Sequence, residues 1–258
     1  SENVCIKNIK IDYDYSFVLE GTVIANDKVK KSFDLKIDED TPYEIKNNKL
    51  FFKGYNWKIG LGENIVFDPE TRSPIYFTSK YEIENAHDIV AEEIAAGIVR
   101  LSGVASVDIP PVGSIYTDKG PHGKNRGIPG FTIQESANIN LINVTVFRAG
   151  AMALIAEKSE NITLDSYKVK VHDGSGKMLS ASADATHFVN CKGLIKLENC
   201  IFESMLDDAT NIHGTYMHVT EHLGKNKVAL SFGHFQQEGF NLGEPGESIL
   251  FLNRTNLM

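Results

Sequence analysis

Asp184-Ala185-Thr186-His187-Phe188 returns as Asp208-Ala209-Thr210-Asn211-Ile212, 208 − 184 = 24 residues later, and this repeat decides the fold. A repeat of this length is typical of a solenoid, in which each copy belongs to one coil stacked on the next. On neighbouring coils, Asp184 and Asp208 would lie about 4.8 Å apart along the stack. Carboxylates that close repel each other, so the repeat indicates either a bound metal or general acid–base chemistry.

The repeat extends to other parts of the chain. Ser136–Leu141 recurs as Ser159–Leu164, a step of 159 − 136 = 23 residues, and weaker copies occur at Cys191–Leu197 and Ser1–Ile6. Each copy places Asn or Gly before alternating apolar residues. Asn and Gly tolerate the backbone conformations of a sharp corner, and the alternation sends every second side chain into a shared interior. We therefore predict a right-handed parallel β-helix, in which Met152 also aligns with Asp184 and Asp208.

Composition limits the class of protein. The 258 residues are 42% hydrophobic and 23% charged, which is ordinary for a globular chain that buries a substantial core. The formal net charge of −8 argues against nucleic acid and anionic membranes as partners. No apolar run is long enough to predict a membrane span. The oligomeric state cannot be inferred from these numbers.

The repeat disappears from about Asp14 to Asp118, where short strands alternate with turn residues. Three hairpins are predicted there: Phe17–Ala25 with Val29–Ile37, Tyr43–Ile45 with Leu50–Phe52, and Ile65–Phe67 with Ile75–Phe77. Glu92–Arg100 favours a strand pair with a tight turn at Gly97 over a short helix. These features predict a compact antiparallel β-barrel inserted into the β-helix.

Four segments follow from this organisation. We predict a first β-helix coil at 1–14, an inserted β-barrel-like domain at 15–115, the β-helix with the acidic site at 116–226, and the start of a second, truncated β-barrel at 227–258. The last segment would open with a hairpin of Val228–Phe232 and Ser248–Leu252. An open β-helix end would expose strand edges, so we expect the sequence to be part of a longer protein. A loop rich in Gly and charge, Gly120–Gly130, is suited to cover a cleft.

The acids Asp184, Asp207 and Asp208 are the predicted catalytic residues. Cleavage of a glycosidic bond needs one protonated carboxyl group and a second carboxylate that activates water or attacks the sugar. Crowding among three acids favours keeping one of them protonated. The structural alternative is that Asp184 and Asp208 cap turns while Thr186 and Thr210 form a polar ladder. That alternative accounts poorly for the additional acid at position 207.

Polar neighbours of these acids are the predicted substrate-binding residues: His187, Asn211 and His213. A histidine on a strand is also commonly a packed or solvated side chain. The sequence contains no HxH or HExxH spacing and no oxygen-rich calcium loop of the DxDxDG type. We therefore expect neither a metal nor another cofactor.

Three stretches carry a resemblance to a known family: Arg126–Phe131, Asp184–His187 and Leu206–Gly214. They look like the exo-α-1,3-galactosidases of glycoside hydrolase family 110. The resemblance implies removal of terminal α-1,3-linked galactose, including from blood-group-B-type glycans, with inversion at the anomeric carbon. It also implies a parallel β-helix interrupted by small β-barrels, and an exported protein. Family members are longer, so further sugar-binding residues are expected beyond Met258.

The same resemblance implies roles for the acids, with Asp184 as general acid and Asp207 or Asp208 as base. The two carboxyl groups of an inverting enzyme stand roughly 6.5–9.5 Å apart to leave room for water. Stacked neighbours are closer than that, so the pair Asp184 and Asp207 is favoured. Asp208 would then bind a hydroxyl group or tune the other acids.

Two alternatives remain open. The first is another β-helix carbohydrate-active enzyme, either a polygalacturonase-like hydrolase or a lyase, although a lyase would need a basic residue or calcium at its centre. The second is a non-catalytic solenoid that binds glycans. In the second case the acids would be ladder residues, and replacing them would change stability without changing turnover.

Overall fold

The computed structural model describes residues 1–75, 88–105, 109–234, 237, 239, 241, 243 and 245–256. In these ranges the regular structure is all-β, and no α-helix occurs. The predicted fold class is thus confirmed at the level of an all-β protein. The chain divides into two compact units, residues 1–212 and residues 213–258, which are described separately.

Eleven strands precede the acidic region of the first unit. The two short strands near the start are β1 (Cys5–Lys7) and β2 (Lys10–Ile11). The next nine are β3 (Leu19–Asp27), β4 (Ser32–Ile37), β5 (Tyr43–Lys46), β6 (Lys49–Gly54), β7 (Trp57–Gly60), β8 (Asn64–Phe67), β9 (Val90–Ala95), β10 (Ile98–Ser102) and β11 (Ile115–Asp118).

Those nine strands form two antiparallel sheets, with the orders β8-β11-β3-β4-β10-β9 and β5-β6-β7. The predicted hairpins β3/β4 and β5/β6 are confirmed, and Glu92–Arg100 belongs to the strand pair β9/β10 instead of a helix. Part of the third predicted hairpin, residues 76 and 77, lies outside the described residues. Both sheets bury one apolar face in a common core, which includes Leu19, Phe33 and Phe52. On β10, for example, Val99 and Leu101 are buried in this core, whereas Arg100 between them is exposed.

Ten further strands follow, and only the last of them extends past Ile212, where the first unit ends. They are β12 (Phe131–Gln134), β13 (Ala137–Ile142), β14 (Thr145–Val146), β15 (Leu154–Glu157), β16 (Glu160–Asp165), β17 (Lys168–Val169), β18 (Thr186–Val189), β19 (Lys192–Glu198), β20 (Ile201–Phe202) and β21 (Thr210–His213).

These strands, together with β1 and β2, build three four-stranded sheets with the orders β1-β13-β16-β19, β12-β15-β18-β21 and β2-β14-β17-β20. Neighbouring strands in these sheets run parallel, and the chain visits the three sheets in rotation from β12 to β21. Ala137 pairs with Glu160 and Leu141 with Leu164, which confirms the 23-residue step of the sequence repeat. Leu141 and Leu164 are fully buried. The right-handed parallel β-helix itself stays a prediction.

Asparagine or glycine with a left-handed backbone stands at the second position of three stacked strands, β13, β16 and β19. Asn138 and Asn161 have φ of 57° and 55°, and Gly193 takes the equivalent place at 68°. The Asn161 amide donates to Asn138 Oδ1 at 3.2 Å, and the Asn138 amide donates to Asn3 Oδ1 at 3.2 Å. The left-handed conformation turns the chain, and the amide ladder satisfies the exposed edge of that turn. The prediction of Asn or Gly at the corners is confirmed.

Among its described residues, the second unit contains one hairpin, β22 (Met217–Gly224) with β23 (Lys227–Phe232). The predicted partner of β23, Ser248–Leu252, is not a strand. A two-residue turn joins β22 to β23, so this local pairing closes a much shorter loop than the predicted one would. In the described part of the chain, no helix has the length and apolar character needed to cross a membrane. The four predicted segment boundaries stay predictions.

Candidate active site

The two copies of the Asp-Ala-Thr motif lie side by side. The backbone amide of Ala185 donates to the Asp208 carbonyl at 2.9 Å, and the amide of Ala153 donates to the Asp184 carbonyl at 2.9 Å. Leu154 pairs with Thr186 in the same sheet. This register continues through Met152, Asp184 and Asp208, as the sequence repeat predicts. The β15, β18 and β21 strands therefore bring successive copies of the motif to one place.

The three predicted acids come together at the start of β18 and β21. Asp184, Asp207 and Asp208 each offer a carboxylate oxygen, and the three oxygens lie within 4.8 Å of one another. Asp184 is 2% exposed, whereas Asp207 and Asp208 are exposed. Oxygens at this spacing can share a proton or surround a cation. The spacing does not single out Asp184 and Asp207, because all three pairs fall within the same limit.

His187 contacts the buried member of the cluster. Its Nδ1 is hydrogen-bonded to Asp184 Oδ2, and the ring is only partly exposed. One strand along, the register places Asn211 beside His187. His213 belongs to the second unit, where its Nδ1 lies 2.8 Å from the Gly214 carbonyl oxygen. The structure therefore brings His187 to Asp184, and the substrate-binding roles of all three residues stay predictions.

Arg126 is a site residue that the sequence did not assign a role. Its Nη2 donates to Asp207 Oδ2 at 3.0 Å across a separation of 81 residues. The charged loop Gly120–Gly130, predicted to cover a cleft, was the signal that could have indicated it. The preceding residue, Asn125, is buried and donates to the carbonyls of Phe17 and Lys119.

A small cavity lies beneath this loop, and its lining includes Arg126, Asn125 and Ser182. A buried ion pair forms another part of the lining, with Lys119 Nζ 3.0 Å from Glu63 Oε2. Both side chains are almost fully buried, and His122 Nδ1 lies 2.7 Å from the other Glu63 oxygen. Charged groups excluded from water in this way require close partners, which restricts the loop to one arrangement.

Two buried carboxyl groups have strongly raised pKa values. Burial raises the pKa of Glu20 to about 7, even though its oxygens accept hydrogen bonds from the amides of Met178 and Leu179. Burial likewise raises the pKa of Asp118 to about 7, against the opposing effect of donors from Gly120, Tyr116 and Gly62. Glu20 attaches the segment before Ser182 to β3, and Asp118 fixes the start of the Arg126 loop. Both acids thus support the site from the antiparallel sheets.

Clustered carboxylates on stacked parallel strands are the arrangement expected of a carbohydrate-active enzyme, and known proteins agree with that class. Residues 19–116 match the family described as GLAA-B beta-barrel domain I. The chain is 32% identical over 252 residues to "Alpha-1,3-galactosidase A" of Shewanella woodyi, covering 97% of this chain and 41% of that relative. It is 33% identical over 259 residues to "Alpha-1,3-galactosidase B" of Akkermansia muciniphila, covering 100% of this chain and 31% of that relative.

A third relative, "Alpha-1,3-galactosidase A" of Bacteroides fragilis, is 32% identical over 255 residues, covering 98% of this chain and 40% of that protein. The chain therefore spans about two fifths or less of the length of these relatives. Similarity along nearly the whole chain confirms the resemblance to α-1,3-galactosidases that the motifs indicate.

Proposed function

We propose that this chain carries the catalytic site of a glycoside hydrolase that removes terminal α-1,3-linked galactose from glycans, including those of blood-group-B type. The observation that carries the proposal is the convergence of Asp184, Asp207 and Asp208, whose oxygens lie within 4.8 Å of one another. The relatives named α-1,3-galactosidases support the substrate linkage. The isolated segment is a partial enzyme under this proposal, and further sugar contacts belong to the rest of the polypeptide.

The architecture that we propose for this site is a right-handed parallel β-helix with an inserted barrel. Residues 1–14 and 116–226 form its coils, residues 15–115 form the barrel, and residues 227–258 begin a second one. The rotation of the chain through three parallel sheets supports the coils, and the match of residues 19–116 to a β-barrel domain supports the insertion. A groove on one face of stacked coils would then present the acids to a sugar.

The proposed mechanism is inverting acid–base catalysis. Asp184 protonates the departing glycosidic oxygen, and Asp207 or Asp208 takes a proton from the water that attacks the anomeric carbon, which releases β-galactose. The enclosed position of Asp184 beside His187 suits the acid, because these contacts hold its carboxyl group in one orientation. The exposed positions of Asp207 and Asp208 suit a base that must reach water.

One observation favours a second mechanism. The carboxyl groups of retaining glycosidases are only about 5–5.5 Å apart, against roughly 6.5–9.5 Å in inverting enzymes. Here, one carboxylate oxygen from each of the three acids lies within 4.8 Å of the other two, which is closer to the retaining distance. In that case an exposed aspartate would attack the anomeric carbon as the glycosidic bond breaks and Asp184 protonates the departing oxygen. Water, deprotonated by Asp184, would then displace the aspartate and release α-galactose.

His187, Asn211 and His213 would bind sugar hydroxyl groups in either mechanism. We propose that no metal or other cofactor takes part, and that the protein acts outside the cytoplasm on exposed glycans. Another β-helix enzyme and a non-catalytic glycan-binding solenoid remain the alternatives that the experiment below separates.

The test is hydrolysis of galactose-α-1,3-galactose by the complete natural polypeptide, with NMR observation of the first anomer released. Asp184→Asn, Asp207→Asn and Asp208→Asn are compared with Asp173→Asn, a control in which the acid lies on an exposed turn. We expect the site variants that remove the acid or the base to lose hydrolysis while their circular dichroism stays unchanged. The Asp173→Asn control should keep its hydrolysis. Early β-galactose supports inversion, and early α-galactose supports retention. A folded parent that releases no galactose overturns the proposal.

A further inference from the structure

We propose that Arg126 is the positioning residue for Asp207. The loop that carries Arg126 is fixed at both ends. Asn125 attaches it to the inserted barrel, and Ile128 and Gly130 attach it to the parallel strands. This inference rests on the proposed function, since it assigns a role within the same reaction. Asp207 would have its carboxylate oriented by a residue 81 positions away in sequence.

The first step in the argument is the contact itself. Arg126 Nη2 lies 3.0 Å from Asp207 Oδ2, and the arginine side chain is 23% exposed against 36% for the aspartate. A guanidinium group is permanently charged and has only donors, so the oxygen that it contacts must act as an acceptor. The contact therefore restrains one oxygen of Asp207 and leaves the other for water or sugar. A partly enclosed pair of this kind holds its geometry better than a fully exposed one.

The second step concerns the residue before Arg126. Asn125 is 7% exposed, and its amide nitrogen donates to the Phe17 carbonyl at 2.6 Å and to the Lys119 carbonyl at 3.0 Å. Its own carbonyl accepts a hydrogen bond from the Ser182 hydroxyl at 3.0 Å. Ser182 is 1% exposed and lies two residues before Asp184. Asn125 therefore joins the barrel segment to the segment just before β18 that carries the buried Asp184.

The third step concerns the residues after Arg126. The amide of Ile128 donates to the Gly150 carbonyl at 3.2 Å, and the amide of Gly130 donates to the Met152 carbonyl at 3.1 Å. A Cβ atom on Gly130 would lie 2.5 Å from the Ala153 carbonyl oxygen, so the backbone here approaches the next strand as closely as glycine permits. Met152 aligns with Asp184 in the stack. The loop is therefore held against the stacked segments that contain Met152 and Asp184, as well as against the barrel.

With both ends fixed, the side chain between them has little freedom to move away from Asp207. Positioning matters because a displacement of about 1 Å at a reacting group can lower the rate on the order of 100-fold. The antiparallel sheets thereby contribute to catalysis without touching the substrate. A purely structural salt bridge would have no such effect on turnover.

The test compares Arg126→Ala, Arg126→Lys and the parent in steady-state hydrolysis of galactose-α-1,3-galactose by the complete natural polypeptide. Lys124→Ala is the matched control, because Lys124 is an exposed cation of the same loop. We expect Arg126→Ala to lower kcat about 100-fold, with KM changed less than about threefold. Arg126→Lys should recover part of kcat, since it restores the charge without the planar donor pair. Added guanidinium ion should rescue Arg126→Ala and leave Lys124→Ala unchanged.

Asn125→Ala tests the connection to the barrel. It should lower kcat as Arg126→Ala does, and the double variant should be no slower than Arg126→Ala, because both changes release the same side chain. If Arg126→Ala does not fold, the partial loss of kcat expected of Arg126→Lys carries the test. A parent that hydrolyses the disaccharide while Arg126→Ala keeps its kcat, or changes KM alone, overturns this inference and leaves the proposed function standing. A folded parent without activity overturns both.

Discussion

The hydroxyl of Thr186 donates a hydrogen bond to the hydroxyl of Thr210 at 3.0 Å and also lies 3.2 Å from the Ala209 carbonyl oxygen. This bond joins the third residue of one Asp-Ala-Thr copy to the third residue of the other. It has the same register as the backbone bond from the Ala185 amide to the Asp208 carbonyl, which places Asp184 beside Asp208. The polar ladder that the sequence offered as an alternative to catalysis is therefore present together with the acid cluster.

Thr186→Val should destabilise the protein by about 1 kcal/mol, because valine keeps the shape but leaves the Thr210 hydroxyl without this donor, while the Ala209 carbonyl keeps the Thr186 amide. In a double-mutant cycle with Thr210→Val, we expect a coupling of about 0.5–1 kcal/mol. Urea denaturation of the four proteins measures it. If the two substitutions lower the free energy of unfolding additively, the two hydroxyls do not form this bond.

The raised pKa of Glu20 predicts that the free energy of unfolding falls as the pH rises. Its pKa is raised from 4.5 to about 7 by burial, so the folded protein binds more protons than the unfolded chain between these values. The free energy of unfolding should therefore be highest below pH 4.5 for this group and should fall as the pH rises to about 7. The effect is on the order of 3 kcal/mol.

Urea denaturation from pH 4.5 to 8 measures this slope in the parent, in Glu20→Gln and in Glu39→Gln, an exposed control. Glu20→Gln should lose part of the slope and Glu39→Gln should keep it. Asp118, whose pKa is also raised to about 7, supplies a remaining slope in all three proteins. Equal slopes in the parent and Glu20→Gln would show that Glu20 is not the titrating group.

Gly120 and Gly113 offer a matched pair of glycine substitutions. Their φ angles are +87° and +89°, but a Cβ on Gly120 would lie 2.1 Å from Ile59 Cγ2, whereas nothing lies within 4 Å of one on Gly113. In both alanine variants the left-handed backbone should lower the free energy of unfolding by about 1–2 kcal/mol. Gly120→Ala should lose a further 1–3 kcal/mol, roughly, because the branched Ile59 side chain is stiff and cannot easily move.

Thermal unfolding should therefore show a clearly lower midpoint for Gly120→Ala than for Gly113→Ala. Gly120 opens the loop that carries Arg126, so its variant should also hydrolyse the disaccharide more slowly. Similar midpoints for the two variants would mean that the close approach to Ile59 relaxes at little cost.

His187 and His172 form a second matched pair, because each histidine is hydrogen-bonded to an aspartate. His187 contacts the buried Asp184, whereas His172 lies 2.7 Å from the exposed Asp12 and stacks on Phe147. His187→Ala should lower kcat between about 10- and 100-fold, because Asp184 loses the group that orients it. His172→Ala should leave kcat unchanged. Steady-state kinetics on both folded variants checks the difference, and an unchanged kcat in His187→Ala would exclude an orienting role.

Local pattern was sufficient for the strands and their stacking. The step of 23 residues between Ser136 and Ser159 gave the pairing of β13 with β16, because side chains alternate strictly along a strand. Asn138 and Asn161 marked corners because few other residues adopt a left-handed backbone easily. The hairpin partner of β23 was predicted wrongly, since apolar alternation identifies a strand without naming its neighbour.

By itself, the sequence determined an all-β chain, a repeat that aligns Asp184 with Asp208, and a resemblance to α-1,3-galactosidases. Only the tertiary structure decided that Asp184 is buried against His187, that Asp207 and Asp208 are exposed, and that Arg126 reaches Asp207. The physical reason is that a repeat reports contacts between neighbouring copies of one pattern. The contact of Arg126 depends on how the Asn125 loop packs against the barrel and the parallel strands, and no periodic feature of the chain encodes that packing.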